Sequence, residues 1–112
     1  KGASSVSNLV KRFAQKLRSS KTNVKWPQND GQIKHIFRND RGHIADTPQN
    51  RKLIKETIDK QNYLGKDRYG KEIYGRTQSN GKQIWVEVRA GVIQNAGENI
   101  KSIDLIKKYK LK

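Results

Sequence analysis

The chain has 112 residues, with 25 Lys or Arg against 10 Asp or Glu, and its formal net charge is +15. No run approaches the roughly 18 apolar residues of a membrane-spanning helix, and no short apolar run follows the basic start as in a signal peptide. The absence of Cys excludes disulfides, thiolate zinc sites and cysteine nucleophiles. The length predicts one domain, with a basic helical part at 1–29, helices at 30–62, and a sheet with a basic tail at 63–112.

The positive charge is densest near both ends of the sequence. Asp30 is the first acidic residue, and residues 99–112 contain five Lys against Asp104 alone. A polyanion such as RNA or DNA is the favoured partner, because each neutralised phosphate releases condensed counterions. An anionic lipid surface is less well supported, because basic residues also run through the predicted strands.

Three helices are predicted in the first half of the chain. Apolar residues at helical spacing predict the first helix over residues 5–18. Asp30 is the predicted N-cap of a short second helix, whose apolar face is formed by Ile33, Ile36 and Phe37. The third helix has Thr47 as N-cap and Pro48 at its first position, and we expect it to end near Gln61.

The second half of the chain changes from helical to alternating periodicity. After a loop marked by Gly65 and Gly70, the pattern predicts antiparallel strands over residues 72–78, 82–89 and 92–95. Helices followed by such a meander predict the α+β class, with N-terminal helices packed on a small twisted antiparallel sheet.

Two dipeptides predict the turns between these strands. Asn80-Gly81 is typical of the type I′ turn of a two-residue hairpin, and Ala90-Gly91 predicts a second tight turn. The segment at 103–109 fits either a further strand or a terminal helix.

The alternation also predicts which side chains share a face of the sheet. Ile84, Val86 and Val88 form one face of their strand. We expect the opposite face to carry Tyr74, Arg76, Trp85 and Arg89. Aromatic and Arg side chains on an open sheet face can stack on bases and bind the RNA backbone. The alternative is that Trp85 and Tyr74 form a second small core under the helices.

The two His residues are the first candidates for chemistry, because imidazole can exchange protons near neutral pH. Metal-free RNA cleavage needs one group to deprotonate the 2′-hydroxyl, another to protonate the leaving 5′-oxygen, and cations to stabilise the phosphorane. Such groups lie within nine residues as His35, Arg38, Arg41 and His43. The alternative is that both His are ordinary surface residues.

Asp46 and Thr47 allow two interpretations. Helix capping alone accounts for both residue types. A helix N-terminus also favours anions, so Thr47 could bind phosphate while Asp46 orients an imidazole. His35, His43 and Asp46 would make only a weakly specified zinc site, and the HExxH, Walker and dinucleotide-binding motifs are absent. We therefore expect neither a metal nor a cofactor.

Several spaced motifs resemble those of a known family. They are Lys34-His35-Ile36-Phe37-Arg38, Gly42-His43, Asp46-Thr47-Pro48-Gln49-Asn50-Arg51, Tyr63-Leu64-Gly65-Lys66-Asp67, and Gln83-Ile84-Trp85-Val86 with Arg89, Gly91, Ile93 and Asn95. The pattern resembles the C-terminal toxin domains of bacterial polymorphic toxins, including effectors of contact-dependent growth inhibition. Within these it is most similar to the barnase/EndoU/colicin/RelE group of ribonucleases. The resemblance covers residues 32–99 and leaves both basic ends outside it.

The resemblance implies a metal-independent ribonuclease toxin with that family's fold, acting on RNA, with transfer RNA as the expected substrate. It implies a cognate immunity protein, which we expect to be acidic because complementary charge speeds association, and it leaves a host factor open. The domain would be delivered as the C-terminal part of a larger secreted or cell-surface effector and would act in the target-cell cytoplasm. The expected catalytic residues are His35, His43, Asp46, Thr47, Arg38 and Arg76. The expected RNA-binding residues are Lys34, Tyr74, Trp85 and Arg89.

In this hypothesis His35 and His43 share the acid and base roles, and Arg38 or Arg76 stabilises the phosphorane. The sequence departs from the family pattern at Ile73-Tyr74, where an aromatic pair is usual, so Tyr74 alone could act as an aromatic there. The main rival is a non-enzymatic RNA- or DNA-binding module. A metal-dependent DNase would need more metal-ligating residues than this sequence contains.

Overall fold

The computed structural model describes residues 23–111. The helix predicted over residues 5–18 lies outside these residues. The helices are α1 (Asp30–Ile36), α2 (Pro48–Thr57) and α3 (Leu105–Lys108), and a 3-10 helix spans Lys60–Asn62. The strands are β1 (Tyr63–Lys66), β2 (Glu72–Thr77), β3 (Gln83–Arg89) and β4 (Val92–Asn99).

These elements form a small α+β domain with one antiparallel sheet in the order β1-β2-β3-β4. The α+β class is confirmed, and strands form at the three predicted places, although β4 continues to Asn99 instead of ending at residue 95. The region around Gly65 was expected to be a loop, but it forms β1, which pairs with β2 through a bulge between Tyr63 and Gly65. The ambiguous terminal segment contains the short helix α3 and no strand. None of the helices between residues 23 and 111 is long and apolar enough to cross a membrane.

The start of α2 agrees with its prediction. Thr47 is the N-cap, its hydroxyl accepts from the Asn50 amide, and Pro48 occupies the first turn. The helix ends at Thr57 instead of near Gln61, and the Thr57 carbonyl accepts a hydrogen bond from the side chain of Asn62. The N-cap of α1 is Asn29 and not Asp30. The Asn29 side chain accepts hydrogen bonds from the amides of Gly31 and Gln32.

The turn between β2 and β3 differs from the predicted type I′ turn. A type I′ turn needs positive φ at both central residues, whereas only Gly81 has positive φ here and Asn80 does not. The Gly81 amide donates to Gln78 and the Gln78 amide to Lys82, so the loop has three residues. The second hairpin has the type I′ conformation, since φ is 53° at Ala90 and 76° at Gly91.

Because the loop between β2 and β3 is one residue longer than predicted, the side chains of β2 lie on other faces of the sheet than predicted. A two-residue loop at Asn80-Gly81 would pair Tyr74 with Glu87, but the observed register pairs Tyr74 with Val86 and Arg76 with Ile84. A shift of one residue moves every side chain to the other face. Tyr74 and Arg76 therefore share the face of Ile84, not that of Trp85.

The main core lies between that face and the helices α1 and α2. Tyr74 packs against this core at its margin. The core contains Val24, Ile36, Ile54, Ile58, Ile84, Val86, Val88, Ile93 and Ala96. Burial of this apolar surface is the main stabilising contribution, at about 25 cal/mol per Å² removed from water.

The opposite face of the sheet is covered by the segment 103–111, which we call the C-terminal segment. It buries Leu105 and Leu111 against the sheet, where Gly75 and Gly65 make room for them. The Gln83 side chain anchors the segment by donating to the Ile103 carbonyl and accepting from the Ile103 amide. The segment contacts β1 and β2 through these two leucines, and a cleft remains beside β4.

Candidate active site

A cleft of about 360 Å³ lies at the β4 edge of the sheet, between α1 and Glu87. It is lined by Asn29, Gly31, Gln32, His35, Lys71, Glu87, Gln94 and Asn95. Residues of α1 meet the sheet here where Glu87 on β3 is paired with Asn95 on β4. The cleft thus combines an imidazole, a carboxylate, an ammonium group and several amides.

Glu87 is held on both of its oxygens. The Tyr109 hydroxyl donates to Oε2 at 2.6 Å, and Lys71 Nζ lies 3.3 Å from Oε1. The carboxylate side chain is only 10% exposed, so these two donors compensate its loss of water. Burial, followed by the hydrogen bond to Glu87, raises the pKa of Tyr109 far above its usual range, so the phenol remains a donor.

His35 lies in the last turn of α1 and is exposed. Arg38 Nη1 is 3.2 Å from Nδ1 and 3.1 Å from Nε2 of this imidazole. An in-plane hydrogen bond could reach only one ring nitrogen, so the guanidinium lies over the ring. Arg38 also donates to the His35 carbonyl at 2.7 Å, which fixes the cation beside the cleft.

His43 is fixed at the same end of α1. Its Nδ1 is 2.9 Å from the Ile36 carbonyl oxygen. Because a carbonyl can only accept, Nδ1 carries the proton, and in the neutral ring Nε2 carries the lone pair. No other residue of the described chain hydrogen-bonds to Nε2. His43 is not among the residues that line the cleft of His35.

The loop that carries His43 packs directly on β4. The Glu98 amide donates to the Gly42 carbonyl at 3.0 Å. This approach requires glycine at position 97, because a Cβ there would lie 1.8 Å from the Gly42 oxygen. The His43 and Trp85 rings form a T-shaped contact, with 5.4 Å between ring centroids.

Trp85 cannot be the open stacking platform that we expected. It is 5% exposed, covered by the His43 ring and by Lys108, whose Nζ is 5.6 Å from the ring centroid. Base stacking needs an accessible ring face, and this ring is buried. Trp85 instead belongs to the packing beneath the C-terminal segment. Its indole Nε1 has no hydrogen-bond partner in the described structure.

Asp46 and Thr47 have structural roles at the start of α2, not the phosphate-binding and imidazole-orienting roles. Thr47 caps α2, and Asp46 accepts two hydrogen bonds from Arg51, at 2.6 and 2.7 Å. These hydrogen bonds hold the pKa of Asp46 below its usual range. Neither carboxylate oxygen is hydrogen-bonded to an imidazole, so Asp46 does not orient His35 or His43.

The remaining predicted residues do not converge on the cleft. Tyr74 packs between the main core and Tyr63, and burial raises its pKa. Arg76 is exposed near the end of β2 and borders a different groove, which is formed mainly by the C-terminal segment and the opposite face of the sheet. Arg89 is exposed at the end of β3, and Lys34 is exposed on α1.

Three residues of the cleft region were missed in the sequence, namely Glu87, Lys71 and Tyr109. Glu87 had a usable signal, because the alternation of β3 placed a carboxylate beside Trp85 on the strand face opposite Ile84. Lys71 and Tyr109 had none, because only the tertiary fold brings the end of a hairpin loop and the C-terminal segment to Glu87. Residues 23–111 contain no group of three or more His, Asp or Glu that could hold a metal ion.

Comparison with known proteins finds no match: no family model, no curated protein and no solved structure is significantly similar to this chain.

Proposed function

We propose that this protein is a metal-independent endoribonuclease and that His35 and Glu87 exchange the protons of the reaction. The observation that carries the proposal is that His35, Glu87 and Lys71 line one cleft. An imidazole and a carboxylate supply an acid and a base near neutral pH, and an ammonium group can stabilise charge on a phosphorane. The amides of the same cleft can bind a nucleotide by hydrogen bonds.

The proposed reaction is transesterification at a ribose. One of the two groups removes the proton of the 2′-hydroxyl, and the 2′-oxygen attacks the phosphorus. The other group protonates the 5′-oxygen as its bond to phosphorus breaks. Lys71 and Arg38 stand beside these groups as cations, and we place His43, whose tautomer is fixed, as a second imidazole near the same helix end.

The test is cleavage of total RNA by the purified protein in the presence of EDTA. We expect discrete products from the wild type, and a decrease in rate of about 10²-fold or more for His35→Ala and Glu87→Gln. Glu56→Gln is the matched control, because Glu56 is exposed on α2, away from the cleft. Wild-type protein that leaves RNA intact, or a fully active folded Glu87→Gln variant, would contradict the proposal.

The biological role that we propose is that of an antibacterial toxin. It rests on the motif resemblance, which also implies a barnase/EndoU/colicin/RelE-like fold, transfer RNA as substrate and delivery into a target cell by a larger effector. The high positive charge suits capture by an acidic immunity protein. Expression should be lethal and rescued only by the product of a neighbouring gene, and end-mapping of RNA from intoxicated cells would identify the cleaved bond.

A non-enzymatic RNA-binding module is the second candidate, and the net charge of +15 supports it. Under that function, RNA binds with steep salt dependence and remains intact, and Glu87→Gln does not weaken binding. Cleavage that depends on His35 and Glu87 would exclude the simple binding module.

A further inference from the structure

We propose that Tyr109 is a positioning residue that fixes the Glu87 carboxylate in the cleft, so that the C-terminal segment completes the active site. This inference rests on the proposed function, in which Glu87 exchanges a proton with RNA. Tyr109 lies outside residues 32–99, which carry the motif resemblance.

The contact between the two side chains is close and sheltered. The Tyr109 hydroxyl donates to Oε2 of Glu87 at 2.6 Å, and Glu87 as a residue is 7% exposed. Hydrogen bonds to a charged acceptor are roughly twice as strong as neutral ones. With Oε2 bound to Tyr109, rotation of the carboxylate is restricted, and Oε1 is left facing Lys71 in the cleft.

The position of Tyr109 is itself set by the sheet. Leu105 packs on Gly75, where a Cβ would come within 2.5 Å of the leucine Cδ1. Leu111 packs beside Gly65 on β1. Tyr109 lies between these two anchors, and the Tyr109 amide donates to the Leu105 carbonyl in α3. The segment therefore presents the hydroxyl to Glu87 from a rigid backbone, as a supporting residue must.

The phenol keeps its proton under conditions in which RNA would be cleaved. Burial is the main cause that raises the pKa of Tyr109, and the hydrogen bond and charge of Glu87 add to it. The other charged groups nearby are Lys71, which pairs with Glu87, Lys108, whose Nζ lies 5.6 Å from the centroid of the Tyr109 ring, and Asp67, whose charge acts in the same direction as that of Glu87. Tyr109 is therefore a constant donor and not a proton-exchanging group.

The decisive experiment compares RNA cleavage by wild type, Tyr109→Phe and Tyr69→Phe. Tyr69 is 62% exposed, so its variant controls for loss of a phenol hydroxyl elsewhere. We expect Tyr109→Phe to lower kcat about tenfold or more with KM within about twofold of wild type. Circular dichroism would verify the fold. An unchanged kcat, or a loss confined to KM, would overturn the inference.

A second measurement does not depend on activity. Spectroscopic titration of tyrosinate should show Tyr109 ionising at lower pH in Glu87→Gln than in the wild type, because the negative charge of Glu87 is removed. Ionisation of Tyr109 within the ordinary tyrosine range in the wild type would refute the contact itself. If the wild type cleaves no RNA, the proposed function fails and the positioning role fails with it, even where the titration confirms the hydrogen bond.

Discussion

Arg51 donates from Nε and Nη2 to the two carboxylate oxygens of Asp46, at 2.6 and 2.7 Å. The same guanidinium lies over the rings of Trp26 and Phe37, with its Cζ 5.1 and 5.4 Å from their centroids. Trp26 precedes α1 and Phe37 is its C-cap. Arg51 thus connects the first turns of α2 to the residues on both sides of α1, and so supports the helix that carries His35.

Arg51→Lys should destabilise the domain by about 1 kcal/mol. Lysine can neither donate bidentately to Asp46 nor stack as a plane on two rings. The effect is modest, because the two side chains are 37% and 40% exposed and solvent screens their charges. Urea unfolding would measure it. Arg68→Lys is the control, since Arg68 stacks on Tyr69 without a carboxylate partner in the described chain. Equal stability of Arg51→Lys and wild type would contradict the role given to Arg51.

The contribution of Asp46 to stability should depend on pH. Its pKa is lowered in the folded state, mainly by the hydrogen bonds from Arg51. The unfolded chain therefore binds a proton first as the pH falls through about 4, and stability is lost from there down to the lower folded-state pKa. Asp46→Asn should be less stable than wild type at neutral pH and equally stable well below that range. Melting curves between these conditions would test this, and a pH-independent difference would refute it.

Gly97→Ala should displace the loop that positions His43. The new Cβ would lie 1.8 Å from the Gly42 carbonyl oxygen and 2.6 Å from Trp85 Cζ2, so backbone must move. We expect a loss of about 2 kcal/mol or more of stability. Gly75→Ala is the comparison, because its closest contact is the flexible end of Leu105, which can rotate away. A larger loss for Gly75→Ala than for Gly97→Ala would contradict this account.

Two substitutions in the second hairpin should have opposite effects. Ala90 has a φ of 53°, a left-handed conformation that costs a residue with a Cβ about 1 kcal/mol. Ala90→Gly should therefore stabilise the domain by about that amount, and Gly91→Ala, at a φ of 76°, should destabilise it similarly. Thermal unfolding of both variants would give the signs. The same sign for both would mean that backbone strain does not control this turn.

The sequence predicted the features that depend on neighbouring residues. The start of α2 follows from a capping hydroxyl at Thr47 and a Pro without an amide hydrogen at the next position. The strand β3 follows from the alternation of Ile84, Val86 and Val88. Both signals act within one turn or one strand, and tertiary packing leaves them unchanged.

The predictions that failed depend on how segments meet. The Asn80-Gly81 dipeptide favours a two-residue turn, and one additional loop residue was enough to place Tyr74 on the helix-covered face. The cleft was only partly predicted, through His35, because its other groups come from separate segments. No periodicity within a strand reports the distance from Glu87 to Tyr109, which is 22 residues further along the chain.

Lys25 forms an isolated parallel bridge with Val92 at the start of β4, which bears on the order of folding. The sheet joins strands that are adjacent in sequence, whereas the Lys25 amide donates to Gly91 and its carbonyl accepts from the Ile93 amide. Hairpins close over short loops and form quickly, and contacts between distant residues are entropically slower. We therefore expect the meander to form first and the segment around Lys25 to dock last. Pulse-labelled hydrogen exchange would then show amides between β2 and β3 protected before the amide of Ile93.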